Sequence, residues 1–139
     1  MRLVSVILLL LYFQVSTLPA DLTSVNTTDT SDMILFVQKQ KGSENKYDKP
    51  LRISTPQAVN RAQQLLEEGK WSKVKFERQT PPTYKLYFQP TDGREIKAVI
   101  YDVWFTNGYA EIYITELHSY KRLNKTNSGV LKEIITSSK

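Results

Sequence analysis

The acid–base chemistry of this 139-residue chain rests on one histidine and a scatter of carboxylates. His118 sits in Glu116-Leu117-His118-Ser119-Tyr120-Lys121-Arg122. An imidazole with cations close by to hold a phosphate is the equipment of a general base acting on a phosphodiester. Such a base needs a second acid or base opposite it. Glu111 and Glu116 have the right chemistry, but their spacing places neither against His118. The competing reading is a loop histidine making a structural hydrogen bond.

The carboxylates Asp92, Glu95, Asp102, Glu111 and Glu116 are spread over predicted strands and turns. Asp102 stands out because it interrupts an apolar run. If Ile96, Ala98, Ile100 and Trp104 face inward, Asp102 is a buried charge that needs a partner. If Val99, Tyr101, Val103 and Phe105 face inward, it is solvated. Both faces are apolar enough that the sequence leaves the register open. Asp102 with Glu111 would be the acid and base of a glycosidase, if their separation were right.

Composition removes other chemistries. There is no cysteine and only one histidine, which excludes disulfides, thiolate zinc, iron–sulfur clusters, cysteine catalysis and histidine-pair metal sites within one chain. No metal and no cofactor is expected. Lys+Arg 19 against Asp+Glu 14 gives +5, too small a surplus for a dedicated nucleic-acid binder. The cations gather at Lys70, Lys73, Lys75 and Arg78, and again at Lys121, Arg122 and Lys125. With Trp71 and Phe76 interleaved, the first group has the pattern of a single-strand platform, but Glu67, Glu68 and Glu77 dilute its field. A solvated face, biased at long range toward an anionic polymer, is the plainer reading. Among the aromatics, Tyr84, Tyr87, Tyr101, Tyr109 and Tyr113 fall on predicted strands. Tyr87, Tyr101 and Tyr113 are expected to form a contact surface on one sheet face, rimmed by Lys73, Lys75 and Arg78, although cross-strand packing explains tyrosines equally well.

The elements that must position these groups are visible as changes of period. Met33–Gln38 reads as a strand, and Leu51–Ile53 as a short second one. Ser54 or Thr55 as cap, Pro56 at the first helical position and Gly69 as terminator bound a helix whose apolar stripe is Ala58, Val59, Ala62, Leu65 and Leu66. After Trp71 the period falls to 2 through Val74 and Phe76, and again through Tyr84, Leu86 and Phe88. Pro90-Thr91-Asp92-Gly93 is a turn, Arg94–Phe105 a long strand, Asn107-Gly108 a type I′ hairpin and Tyr109–Thr115 its return. A last helix, capped near Thr126 or Asn127, buries Val130, Leu131, Ile134 and Ile135. The expected fold is α+β, an antiparallel meander of four to five strands with one long helix and a C-terminal helix on one face.

Residues 1–20 read as an export signal peptide or an uncleaved anchor. Arg2 precedes the apolar run Leu3–Phe13, which as a helix reaches roughly 16 Å, about half a bilayer core. Left uncut, residues 3–13 would give a transient membrane association. Residues 21–32 are a polar spacer, and 33–139 a single domain. Leu18-Pro19-Ala20 opens like a lipoprotein box, but Asp21 stands where lipidation needs cysteine.

Lys70-Trp71, then Pro82-Thr83-Tyr84-Lys85-Leu86, then the terminal Leu131-Lys132-Glu133-Ile134-Ile135, resemble the small envelope domains of Bacillus-type bacteria, of the YhfM-like kind. The likeness covers Met33 to Ile135, and Asp21 departs from its lipoprotein pattern. It implies an extracytoplasmic place and one small domain, and it carries over no catalytic residue. Together these features lead us to expect a secreted, non-catalytic contact domain of the cell envelope, with an anionic wall polymer or a protein as partner. The rivals are a small secreted hydrolase using His118 or Asp102, and an inhibitor or immunity-type protein that occludes one partner protein.

Overall fold

Segments of period 2 form an antiparallel sheet and segments of period 3.6 form two helices, an α+β arrangement in the computed structural model, which describes residues 32–137. The leader at 1–20 and the spacer up to residue 31 lie outside the described residues. The strands are β1 Met33–Lys39, β2 Leu51–Ile53, β3 Ser72–Lys73, β4 Tyr84–Pro90, β5 Tyr101–Thr106, β6 Tyr109–Ile114 and β7 Ser119–Arg122. They make one seven-stranded sheet in the order β2-β1-β4-β5-β6-β7-β3. The expected meander is present as β4 to β7, within a sheet of seven strands and not four to five.

One of two differences bears on the count. β7 falls in the stretch read as a loop around His118. The chain reverses there through a single 3₁₀ turn, Thr115–Leu117, with His118 in the left-handed region at φ 48°. No glycine or proline marks that reversal, and a four-residue strand reading Ser-Tyr-Lys-Arg has no apolar alternation. The long strand expected over 94–105 pairs only from Tyr101 onward. β4 meets β1 along seven residues but meets β5 only at Tyr84, Lys85 and Leu86. Arg94–Ile100 carries no ladder to β4, and its Ile96, Val99 and Ile100 stay exposed. The hairpin at Asn107 and Gly108 has positive φ at both positions, 55° and 81°, as a type I′ turn requires.

Helix α1, Pro56–Glu67, buries Val59, Ala62, Leu65 and Leu66 as its stripe demands, with Ala58 half-buried at the margin. Pro56 opens it, and Gly69 follows its end at φ 92°. Helix α2, Lys125–Thr136, is capped by Asn124 and not by Thr126 or Asn127: the Asn124 side chain accepts the N–H of Asn127 at 2.8 Å. Leu131 and Ile135 are buried, and Val130 and Ile134 lie half-buried at the edge. Both helices contribute to one core against one sheet face, where Leu35, Val37, Leu86, Val103 and Ile112 sit out of water.

Ser128 is the polar exception in that core. Its Oγ accepts the Ala110 N–H at 2.7 Å and donates to the Leu123 carbonyl at 3.2 Å, tying α2 to β6 and to the end of β7. Ser128→Ala should lower unfolding free energy by about 1–3 kcal/mol, because it leaves two main-chain groups without that partner. The neighbouring Gly129→Ala, whose new methyl group meets nothing within 4 Å, should raise it by about 0.5–1 kcal/mol. Urea unfolding of the two variants checks both signs.

Candidate functional site

The sheet is apolar on its second face as well, and among the described residues no helix covers that side. A strap between β3 and β4, residues 74–82, crosses it instead. Phe76 plugs an aromatic box, its ring centroid 5.4 Å from Trp104, 5.3 Å from Tyr113 and 4.9 Å from Tyr120. The Trp104 indole N–H donates to the Thr80 carbonyl at 2.9 Å, and the Tyr47 hydroxyl donates to the Pro82 carbonyl at 2.7 Å. Arg78 is ion-paired with Glu111 and donates to Thr106 Oγ1 at 2.9 Å, while the Tyr120 hydroxyl donates to the other Glu111 oxygen at 3.1 Å. The period-2 pattern at Val74 and Phe76 therefore marks this strap and not a sheet strand, beyond the two residues of β3.

Strand register then sets out the chemistry in rows. One row runs Gln38, Lys85, Asp102, Tyr113, Tyr120 across five strands. Within it Lys85 Nζ donates to Asp102 Oδ1 at 3.1 Å, and the Thr115 hydroxyl donates to Asp102 Oδ2 at 3.2 Å. The next row outward is Arg52, Phe36 and Tyr87. Phe36 and Tyr87 stack at 5.2 Å and 10°, with the Arg52 guanidinium 6.0 Å over Phe36. Between the strap and these strands lies an open groove of about 780 Å³, with Lys85, Asp102, Trp104, Tyr113 and Thr115 among its walls.

Asp102 resolves the register question in a way neither alternative anticipated. The helix-facing set is Tyr101, Val103 and Phe105, the arrangement that was to leave Asp102 solvated. Its residue is nonetheless only 9% exposed, because the second face is roofed too. Its charge is felt nearby: burial pushes the Tyr47 hydroxyl above its ordinary pKa, and the Asp102 carboxylate adds to that shift.

The three tyrosines expected to share a surface do not share one. Tyr101 faces the helices and is buried, its hydroxyl held above the usual tyrosine range by burial and by the charge of Glu67. Tyr113 lies on the opposite face, buried under Phe76. Tyr87 shares that face and stays half-exposed beside Phe36. Alternation along β5 and β6, together with the pairing of Asp102 with Tyr113, puts Tyr101 and Tyr113 on opposite sides. The basic rim is likewise divided: Arg78 is spent on Glu111, Lys75 pairs with Glu77 at 3.6 Å in full solvent, and Lys73 donates to the Leu117 carbonyl at 2.8 Å.

His118 is exposed, with Nδ1 3.3 Å from the Tyr113 hydroxyl. Glu116 pairs with Lys97, and Glu111 with Arg78, so neither is set against His118 as a second base. Asp102 and Glu111 share a face but are held in separate ion pairs. Asp92 is taken up by Arg94, whose backbone N–H, then side chain, holds the carboxyl below the usual range. Among the described residues no three His, Asp or Glu side chains gather as a metal ion would require. No family model, no curated protein and no solved structure matches the chain.

Lys121, read in the sequence as part of a basic surface cluster, is 5% exposed. Its Nζ donates to the carbonyl of Glu68, the residue that caps α1, at 2.6 Å and lies 4.6 Å over the Trp71 ring. Burial lowers its pKa to about 8, with Glu68 and Glu67 opposing the shift. An alternation of Ser119 and Lys121 toward the core side of β7 is the signal that would have located it, had β7 been recognised.

Two measurements follow from these charges. Asp102→Ala should cost about 1–2 kcal/mol in urea unfolding, since Lys85 and Thr115 lose their acceptor but Lys85 can still reach the groove's water; Asp102→Asn should cost less. Between pH 8 and 10 the unfolded chain holds a proton at residue 121 that the folded chain has released. Stability should therefore rise across that window by about 1–3 kcal/mol. In Lys121→Met the rise should vanish. Above pH 10 the raised hydroxyls of Tyr47 and Tyr101 pull the other way.

Proposed function

We propose that this protein is a non-catalytic contact domain of the bacterial envelope, exported by its apolar leader, and that it holds a hydroxyl-rich wall glycan along the open part of its second face. The observation that carries this reading is the groove beside the Phe36–Tyr87 stack. A fixed donor–acceptor pair, Lys85 with Asp102, lines this open depression together with Trp104 and Tyr113, and the flat Phe36–Tyr87 stack lies outside its walls, two residues along β4 from Lys85. Lys85 keeps further donor capacity and Asp102 further lone pairs, which suits a ligand that both donates and accepts.

The same pairing argues against turnover. Asp102 is engaged by Lys85 and Thr115, and Glu111 by Arg78 and Tyr120, so each carboxylate already has a cationic partner within the fold. An anionic wall polymer is the weaker form of the reading, because the rim cations Lys75 and Arg78 already have carboxylate partners. The resemblance to YhfM-like envelope domains agrees with the proposed location and adds no chemistry.

The hydrolase alternative draws on one specific feature, the placement of Asp102 and the Thr115 hydroxyl together in the groove. Retention on purified wall glycan separates the readings. The wild-type protein should be retained with no release of sugar, and Tyr87→Ala and Lys85→Ala should each weaken retention by roughly tenfold, the scale of one lost aromatic or charged contact. Sugar release that Asp102→Asn abolishes would favour the hydrolase. Failure to bind glycan, with stoichiometric capture of a single protein, would favour an inhibitor or immunity-type role.

A further inference from the structure

Among the described residues six large apolar side chains stand in water, each with between 39% and 49% of its surface exposed. Leu51 is alone on β2. The other five, Val74, Ile96, Val99, Ile100 and Leu117, belong to one end of the sheet. β5 begins and β6 finishes there, because the two run antiparallel with Asp102 opposite Tyr113. Lys97 Nζ reaches Glu116 at 3.4 Å, bringing the segment that holds Ile96, Val99 and Ile100 beside the turn that holds Leu117. The Val74 N–H donates to the His118 carbonyl at 3.0 Å, which brings Val74 to the same turn.

The chain enters the fold at this end. Met33 pairs with Pro90, the last residue of β4, and lines a cavity of about 170 Å³ together with Ile96, Ala98 and Val99. Everything before it in the sequence, including the apolar run Leu3–Phe13, is attached here. Charges of both signs stand near it, Lys97 paired with Glu116 and Glu67 in the wall of the cavity.

We propose that this apolar end docks on the surface of a lipid bilayer, with Val99, Ile100 and Leu117 entering the headgroup boundary. Exposed β-branched and leucine side chains, concentrated where a potential membrane segment leads out of the fold, suit that occupant. With no surplus of cations at the contact, its strength comes from apolar burial and not from attraction to anionic lipid. The site is separate from the groove and does not depend on its ligand.

The chain has no cysteine, so single thiols can report position. Full-length Val99→Cys, Leu117→Cys and Leu51→Cys, each carrying an environment-sensitive dye, are mixed with phosphatidylcholine vesicles. The dyes at 99 and 117 should shift to the blue while the dye at 51 does not, and adding phosphatidylglycerol or salt should change binding little. Val99→Ser with Leu117→Ser, both at exposed positions that spare folding, should weaken binding on the order of tenfold. The proposal is overturned if the chain does not bind, if it binds with the dyes at 99 and 117 still in water, or if all three dyes shift alike.

Discussion

A sheet that is apolar on both sides has to be covered twice, and the two helices of the described residues cover one side. β5 states the problem in four residues. Tyr101 and Val103 go to the helices, Asp102 and Trp104 go the other way, and all four are buried. The second cover is a strap of nine residues held by one aromatic plug, Phe76, and one arginine, Arg78. It is too short to roof seven strands. Phe76 closes the part over β5 to β7, while over β1 and β4 Ile34 is buried and Phe36 and Tyr87 stay half-buried.

Charge placement follows from the same constraint. Once the strap lies over β5 and β6, Asp102 and Glu111 are out of water and need cations from neighbouring chain. Lys85 comes from the adjacent strand and Arg78 from the strap. Pairs of this kind add little net stability but penalise any register that separates them. The Lys85–Asp102 pair acts where that matters, at the only place where β4 and β5 are joined, a ladder of three residues. Lys121 does a comparable job on the other side, fastening β7 to the end of α1 at the expense of a depressed pKa.

The parts of the fold that can be read from the residues are those where one interaction decides locally. Pro56 and Gly69 bracket α1, and Asn107-Gly108 fixes the hairpin, through backbone conformation alone. What escapes is decided by covering. Nothing in Ser-Tyr-Lys-Arg announces β7, since its pairing is supplied by β6 and by the turn at His118. The strap has a strand's alternation because Phe76 and Arg78 point to the sheet, a reason that only the tertiary arrangement reveals. The tyrosines were the natural aromatic platform by type, yet Tyr101 and Tyr113 are structural. The open aromatic surface belongs to Tyr87 with Phe36, a partner identifiable only from the β1–β4 register. Asp102 was singled out for the right property, its position in an apolar run, while its surroundings came from a layer the sequence did not disclose.

The buried carboxylates Asp102 and Glu111 are thus held by Lys85 and Arg78, and the second face is left partly uncovered by the described residues. Amide chemical shifts recorded while soluble wall-glycan fragments are added test this directly, because protein and sugar signals are followed in one sample. The account predicts shifts concentrated at Phe36, Lys85, Tyr87, Asp102 and Thr115, with sugar resonances that do not change over time. Shifts centred elsewhere, or new sugar resonances from cleaved glycan, would contradict it.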